Sequence, residues 1–525
     1  MKFKEAILWY SLVCFSCSQE APMNIKVSPT QGKSITFQSS VKLGRKLENP
    51  YSVANMQKAF EQLSPQTRSQ AADLEIKATH LYVKFCPKTE EELDFLKSNT
   101  CLELYSYPLD YEILDKSENH YYVNHTEKDG KPCDYYAAVK VNKALPSNIE
   151  YEILEELFIP DENTDTPILT RSGYLLDENF VDELVDLSLK LTGNWNENEI
   201  MTKGKSKWRP AGTITYYDEI YKKNLGVEGL KIRAKRWFTT HVGYTNAQGY
   251  FSCDGQFKRP ADYSLNFERE NFHVKDAETG HNNLKGDWNL HFVREELIPN
   301  PLKVSSLYTY VTIFRAAYHY CYKDIQGLHR PPARKELQAK IKIEPVNEDK
   351  GGLNGVFSHG FFMGITGKHI EIYNHHNPID EIYATTIHEL AHSAHWIRNK
   401  KMYHKDIHLI VKESWARGVQ YQLTKTVYPN YQEPTFSRGS YTGIVNDLIN
   451  SANIYRSSFY YYANDSYWNV APKSYTDRVE GYTLKQIEDA LDGVKTWEGW
   501  KANIKKIPNN TKQYVDEAFN FWSGQ

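Results

Sequence analysis

The most informative stretch of the sequence is residues 386–396, which read TIHELAHSAHW. His388 and His392 are four residues apart, so on a helix both imidazoles lie on one face and can bind one metal ion. Glu389 is placed to reach a water molecule held by such an ion. On another face of the same helix, residues spaced four, four, four and three positions apart form a stripe that is expected to face the core. The stripe consists of Ile382, Thr386, Leu390, Ala394 and Ile397. The sequence therefore predicts a metal-binding helix over residues 380–399, with Asp380 as its N-cap.

A catalytic zinc site needs a third protein ligand, and the sequence offers two candidates. Glu413 lies in residues 412–418, KESWARG, within a second predicted helix over residues 406–424. The intervening loop is long enough to reverse the chain and place that helix across the first. His395 is one turn beyond His392, but three ligands from consecutive turns of one straight helix converge poorly. We therefore expect Glu413 to be the third ligand and His395 to be a polar or outer-sphere residue.

The pattern of HExxH followed after twenty residues by a helical glutamate resembles the gluzincin metallopeptidases, over residues 369–424. The resemblance implies Zn²⁺ held by His388, His392 and Glu413, with Glu389 as the general base in peptide-bond hydrolysis. One position departs from it: Arg417 stands where thermolysin-like members carry an acid. The hydrogen-bond partner behind the ligand histidines is therefore left open.

The same resemblance implies two further features of the catalytic domain. Residues 369–373, HIEIY, are expected to form the sheet edge that pairs with an extended peptide substrate. A downstream side chain is expected to stabilise the oxyanion, with the cluster at 455–462 favoured. The candidates for that role are Tyr441, Tyr455, Tyr460, Tyr461 and Tyr462. His375 and His376 are interpreted as residues of a surface loop rather than as a second metal site.

The N-terminus has the pattern of a targeting segment. Residues 1–16 combine a basic start with an apolar stretch too short to span a membrane, which predicts a signal peptide. Cys17 follows at once, and the stretch resembles the signal of bacterial lipoproteins, with Cys14 as a rival position and plain secretion as the alternative. The resemblance implies acylation of Cys17 and a lipid bilayer as partner. Residues 17–45 are then a tether in the cell envelope, at the outer membrane or cell surface.

The rest of the chain is predicted to be multidomain. Residues 46–165 read as an α+β accessory domain, and residues 166–204 as a linker with helical character. Residues 205–275 alternate as strands and resemble the carboxypeptidase regulatory-like β-sandwich. Residues 290–525 are predicted to be an α+β zincin-like catalytic domain with a mainly helical C-terminal part. In this arrangement the chain resembles multidomain surface lipoproteins of the Bacteroidetes type.

Composition narrows the classes of function. Lys and Arg number 63 against 66 Asp and Glu, a formal net charge of −3, so nucleic acid is not an expected partner. No Walker A loop, Rossmann fingerprint or GxSxG elbow is found. The leading prediction is a zinc metallopeptidase that acts on polypeptides. Its rivals are an adhesion or binding lipoprotein with an idle zincin domain, and a glycan-active surface protein that uses its many aromatic residues.

Overall fold

The structure is a computed structural model that describes much of the 525-residue chain. The described residues are 43–63, 76–99, 102–113, 120–122, 127–128, 131–132, 134–160, 168–169, 175–176, 178–195, 206–294, 307–333, 340–346, 354–359, 368–373, 376–432, 436–450, 455–460 and 473–523. The predicted signal peptide, Cys14, Cys17 and most of the tether lie outside them. No helix in these ranges has the length and apolar character needed to cross a membrane.

The chain is multidomain and combines helices with several β-sheets, which confirms the fold class at that level. The described helices are α1 Val53–Leu63, α2 Glu90–Ser98, α3 Glu178–Leu191, α4 Leu307–Tyr322, α5 Ile379–Asn399, α6 Lys401–Lys405, α7 Leu409–Val427, α8 Ile444–Ile449, α9 Leu484–Asp489, α10 Trp497–Ile504 and α11 Val515–Trp522. The strands before residue 200 are β1 Leu43–Lys46, β2 His80–Phe85, β3 Tyr111–Ile113, β4 His120–Tyr122, β5 Glu127–Lys128, β6 Lys131–Pro132, β7 Tyr135–Lys140, β8 Tyr151–Leu157, β9 Ile168–Leu169 and β10 Leu175–Leu176. The later strands are β11 Ala211–Asp218, β12 Lys223–Gly226, β13 Lys231–Arg236, β14 Thr239–Tyr244, β15 Tyr250–Ser252, β16 Ala261–Glu268, β17 Phe272–Leu284, β18 Trp288–Phe292, β19 Ile341–Pro345, β20 Gly355–His359, β21 Lys368–Ile372, β22 Ser437–Arg438, β23 Tyr455–Tyr460 and β24 Lys473–Thr476.

The N-terminal unit is built on a three-stranded antiparallel sheet in the order β7-β2-β8. On one face of this sheet, the side chains of Val83 and Phe85 in β2 are buried and pack with residues of α2. The other face is covered by α1 and α3, whose side chains Phe60 and Leu184 lie in one buried cluster. The helical part of residues 166–204 is thus α3, and it packs on the N-terminal unit.

The largest sheet has eight strands and runs in the order β14-β13-β16-β17-β19-β21-β20, with β4 added on β17. The boundary predicted near residue 275 falls inside β17, which pairs with β16 on one side and with β19 on the other. One buried cluster extends from Ile214 to Trp522 across that boundary. Alternation along the sequence identifies a strand but not its partner, so the sheet shared by both predicted domains was not foreseen.

Strand β21 is not a sheet edge, and the prediction for residues 369–373 is wrong on this point. Ile370 pairs in parallel with Ile343 of β19 and antiparallel with Phe357 of β20. Among the described strands β20 ends the sheet beyond β21, and it lies against α5. The glycines that surround β20 in the sequence weaken a strand pattern, which is why the sequence did not indicate this strand.

Helix α5 begins one residue after Pro378, which occupies the N-cap position that was predicted for Asp380. The side chain of Pro378 makes no capping hydrogen bond, and its φ of −52° is close to the value that the proline ring fixes. The helix packs against α4, α7, β20 and β21, so its histidine face is buried as well as its apolar stripe. Lys400, at φ 42°, ends the helix, and the short α6 leads the chain into α7.

Candidate metal centre

Three side chains from two helices meet in the core. The Nε2 atoms of His388 and His392, both on α5, lie 3.2 Å apart. Oε2 of Glu413, on α7, lies 3.3 Å from the first of these nitrogens and 3.2 Å from the second. All three residues are buried, at 4–5% exposure. The structure therefore brings together the three residues that the sequence analysis proposed as ligands.

The spacing of these three atoms fits a metal ion. Zinc bonds of about 2.0–2.1 Å in tetrahedral geometry separate neighbouring donors by about 3.3 Å, close to the observed triangle. Two imidazoles and one carboxylate are also a donor set that zinc hydrolases use, with a further position left for water or substrate. The residues present thus fit a divalent transition metal ion.

The outer nitrogen of each histidine has its own partner. His388 Nδ1 lies 3.0 Å from Oε1 of Gln420, and His392 Nδ1 lies 2.8 Å from the hydroxyl of Tyr403. Because an amide oxygen only accepts, we assign the proton of His388 to Nδ1. The hydroxyl of Tyr403 can donate or accept, so this contact holds the ring of His392 without deciding which of its nitrogens carries a proton. Outer partners of this kind orient the rings of metal-binding histidines.

Burial and mutual charge set the protonation of the three residues. Burial lowers the pKa of His388 to about 4, against the opposing pull of Glu413. Burial also disfavours the charged forms of His392 and Glu413, but the electrostatic attraction between these two residues outweighs this effect. The attraction raises the pKa of His392 and holds the pKa of Glu413 well below its usual range. A neutral imidazole and an ionised carboxylate are the forms that bind metals.

Glu389 is a fully buried carboxyl group beside this triangle. No side chain among the described residues hydrogen-bonds its carboxyl oxygens, and the backbone of Phe357 on β20 acts on the group and lowers its pKa. Burial raises the pKa of Glu389 to about 8, and the positive charge of His392 opposes the rise. A Cβ atom on Gly355 of β20 would lie 2.8 Å from Oε1, so only glycine leaves the carboxyl group its present position. An isolated carboxyl group in the interior is costly, which makes Glu389 a candidate for a functional role.

The other histidines near the motif do not join the triangle. His395 is buried, and its ring packs edge-on against Tyr403 at 5.1 Å. Neither of its ring nitrogens has a hydrogen-bond partner in the described part of the chain. Burial lowers the pKa of His395 to about 3, so the ring is neutral. His376 is exposed, and His375 lies outside the described residues.

Tyr441 is the predicted oxyanion donor that lies near the triangle. Its ring centroid is 6.4 Å from that of His388, and the guanidinium of Arg417 lies 5.1 Å from the centre of its ring. The side chains of Tyr455 and Tyr460 and all of Tyr461 and Tyr462 lie outside the described part of the structure. The preference for the 455–462 cluster thus stays a prediction, whereas Tyr441 has an observed position.

The sequence analysis missed both outer partners of the histidines. Gln420 lies seven residues after Glu413, two turns along the same face of α7, so helical spacing could have identified it. The Nη1 atom of Arg417 lies 3.4 Å from the same amide oxygen that faces His388. The hydrogen-bond partner behind His388 is therefore the amide of Gln420, next to the guanidinium of Arg417, and not an acid. Tyr403 lies in α6, and no spacing rule connects it to α5.

Comparison of the chain with protein families, with curated proteins and with solved structures finds no match. The arguments that follow rest on the geometry of the buried group. That geometry consists of two imidazoles and one carboxylate in contact with one another, each imidazole with an outer partner, and a buried carboxyl group alongside.

Proposed function

We propose that the protein is a zinc metallopeptidase whose ligands are His388, His392 and Glu413. The observation that carries the proposal is the triangle of ligand atoms at 3.2–3.3 Å in a buried setting. Without an ion, two imidazole nitrogens directed at each other at this distance would repel unless one carried a proton. With an ion, all three atoms have one common partner.

Glu389 is the general base of the proposed reaction. A zinc ion held here would supply an activated water molecule and polarise the scissile carbonyl group. Glu389 accepts a proton from the attacking water and passes it to the leaving amine. No side chain among the described residues is hydrogen-bonded to this carboxyl group, which leaves it able to exchange that proton. Tyr441 is the best-placed described donor to the oxyanion.

The substrate class proposed is an extended polypeptide. Strand β20 is an outer strand of the large sheet among the described strands, and it lies beside α5. Strand β21 pairs with one side of β20, and no described strand pairs with its other side, so β20 takes the role that was predicted for residues 369–373. A peptide that pairs with an outer strand gains backbone hydrogen bonds independent of its side chains.

The proposed location is the cell envelope, with a lipid anchor on Cys17. The proposal is supported by the basic and apolar segment that precedes this cysteine. Several acyl chains give stable membrane attachment, whereas one chain gives only marginal binding. Cys17→Ala should move the protein from the membrane fraction to the soluble fraction. Continued membrane attachment of this variant would contradict the anchor.

The deciding experiment combines metal analysis with digestion of a proteome-derived peptide library. Purified wild-type protein should contain one zinc ion per chain and should cleave peptides at sites that mass spectrometry can map. Glu389→Gln should contain the same zinc and leave the library intact. Zinc without cleavage in the wild-type protein would favour the non-catalytic binding protein, and absence of zinc would contradict the proposal as a whole.

A further inference from the structure

Arg417 is a cation beside the candidate metal centre. It lies on α7 one turn after Glu413, so both side chains extend from the same face of that helix. Its guanidinium lies 5.1 Å from the centre of the Tyr441 ring, and the Tyr441 ring lies 6.4 Å from the ring of His388. Arg417 is thus connected to a proposed metal ligand through one aromatic ring.

The contacts of Arg417 hold its guanidinium in place and leave its charge uncompensated. Nη1 lies 3.4 Å from Oε1 of Gln420, which is an uncharged amide. The stack on Tyr441 positions the guanidinium without neutralising it. Within the described part of the chain, no carboxylate forms an ion pair with Arg417.

The outer end of the Arg417 side chain is the part that a ligand can reach. Nε is buried and has no hydrogen-bond partner among the described residues, so it is closed to a ligand. Nη2 makes no hydrogen bond to the described residues either, but unlike Nε it is not buried. Both Arg417 and Tyr441 are half-buried, so the guanidinium borders solvent beside the candidate metal centre.

Other partly buried arginines in the described ranges have the partner that Arg417 lacks. Arg259 pairs with Asp186 at 2.7 Å, and Arg294 pairs with Glu219 at 2.6 Å. A partly buried charge without a counter-ion costs free energy, and the planar fork of a guanidinium matches a carboxylate with two parallel hydrogen bonds. The group that would complete the surroundings of Arg417 is therefore a carboxylate from outside the described chain.

We propose that Arg417 binds a carboxylate of the substrate, so that the enzyme acts on polypeptides with such a group near the scissile bond. This inference rests on the proposed peptidase function and adds a substrate class to it. A polypeptide can supply the carboxylate from an acidic side chain or from its free C-terminus. Arg417 is then a specificity-determining residue, and Tyr441 holds its guanidinium in position.

The test is equilibrium binding of synthetic peptides to the full-length Glu389→Gln protein, measured by calorimetry. This variant is chosen because it should bind the peptides without cleaving them. The first pair of probes is acetylated hexaalanine with a C-terminal carboxylate or a C-terminal amide. The second is a set of acetylated and amidated hexaalanines with one aspartate at each position in turn, matched by a set with asparagine.

In at least one of these comparisons the peptide with the carboxylate should bind about tenfold tighter or more, because it gains a charged hydrogen-bond partner. The comparison that shows the preference identifies the source of the carboxylate. Arg417→Gln in the same background should bring the ratio of affinities close to one. Arg417→Lys should keep part of the preference, since lysine retains the charge and loses the planar fork.

The matched control is Lys425→Gln, which should keep the full preference. Lys425 is another cation on α7 that lies over a tyrosine ring, 5.1 Å from the centre of Tyr421. Three results would overturn the proposal: no saturable binding of any probe, equal binding of charged and uncharged probes, or a preference that survives in Arg417→Gln.

Failure of this inference can be told apart from failure of the proposed function, because binding is measured without cleavage. A preference that depends on Arg417, in a protein whose wild-type form cleaves no peptide, would support the carboxylate site and contradict the peptidase. Cleavage by the wild-type protein without such a preference would contradict the carboxylate site and leave the peptidase in place.

Discussion

The group His388, His392 and Glu413 has two histidines and one carboxylate, and the group His329, Glu488 and Asp489 has one histidine and two carboxylates. In each, three ligand-type atoms lie within 4.8 Å of one another. The first group is buried throughout, whereas the side chains of His329 and Asp489 in the second are 47% and 51% exposed. Proximity of histidine and carboxylate groups therefore does not separate the two.

The charges around each group do separate them. Glu413 forms its ion pairs with the two histidines themselves. Glu488 instead lies 3.7 Å from Arg398 and 3.6 Å from Lys485, and both cations also pair with Asp489. A metal ion at the second group would have to compete with these two cations.

Hydrogen bonds lead to the same distinction. His388 and His392 use Nδ1 for Gln420 and Tyr403, so both Nε2 atoms face inward. Nδ1 and the backbone N–H of His329 both hydrogen-bond the carboxylate of Glu488, which connects the loop that contains His329 to α9. We infer that the first group is built to bind an ion and the second to connect two segments of the chain.

The largest expected effect is the loss of a ligand carboxylate. Glu413→Ala should lower zinc affinity by more than the tenfold to hundredfold typical of outer partners, and should abolish peptide cleavage. Glu488→Ala is the control, and it should keep one zinc ion per chain. Metal analysis after dialysis against a weak chelator measures both. Equal zinc loss in the two variants would contradict the distinction between the groups.

Next in size is the loss of the proposed base. Glu389→Gln should reduce the rate of peptide cleavage by about 10²–10⁴, because general acid–base catalysis contributes on that order. Zinc content should not change, since Glu389 is not one of the converging atoms. Steady-state kinetics and metal analysis of the same preparation provide the two readouts. Cleavage near the wild-type rate would exclude Glu389 as the base.

Smaller losses are expected when an outer partner is removed. Tyr403→Phe and Gln420→Leu should each weaken zinc binding about tenfold to a hundredfold, because the ligand histidine loses its orienting hydrogen bond. Competition with a fluorescent chelator measures the affinity. Tyr421→Phe is the matched control, since Tyr421 follows Gln420 on α7 and packs on Tyr431. Unchanged affinity in both test variants would show that these hydrogen bonds do not orient the histidines.

The smallest effect concerns the second group. Arg398→Ala should lower the free energy of unfolding by about 1–2 kcal/mol, because Glu488 stays buried while the exposed pair with Asp489 is screened by water. Urea denaturation measures this change. Zinc content and cleavage should remain at the wild-type level. A second zinc ion per chain in this variant would indicate that the second group also binds metal once the competing cation is removed.

Much of the candidate site could be predicted because helical periodicity is local. The four-residue spacing of His388 and His392 places both on one face, and the pattern around Glu413 predicts its helix. The outer partners could not be predicted as easily. Gln420 could be inferred only indirectly, from its position two turns beyond Glu413 on the same face of α7, and Tyr403 reaches His392 only because α6 brings it there.

The strands show the same limit more clearly. Alternating residues identified several strands, but the pairing of β17 with β19 joins residues that lie about seventy positions apart. Pairing depends on hydrogen bonds whose geometry is the same for any strand, so sequence alternation carries little information about partners. For this reason the boundary near residue 275 and the edge position of residues 369–373 were misplaced.

The amino-acid sequence alone determined which residues have metal-binding chemistry and which segments are helical, because both depend on residue type and short-range spacing. The tertiary structure decided that His388, His392 and Glu413 meet while His395 stays apart. It also decided that Arg398 and Lys485 neutralise the second group, and that Gly355 leaves room for the carboxyl group of Glu389. Those outcomes depend on contacts between distant segments, and only the packed chain brings such segments together.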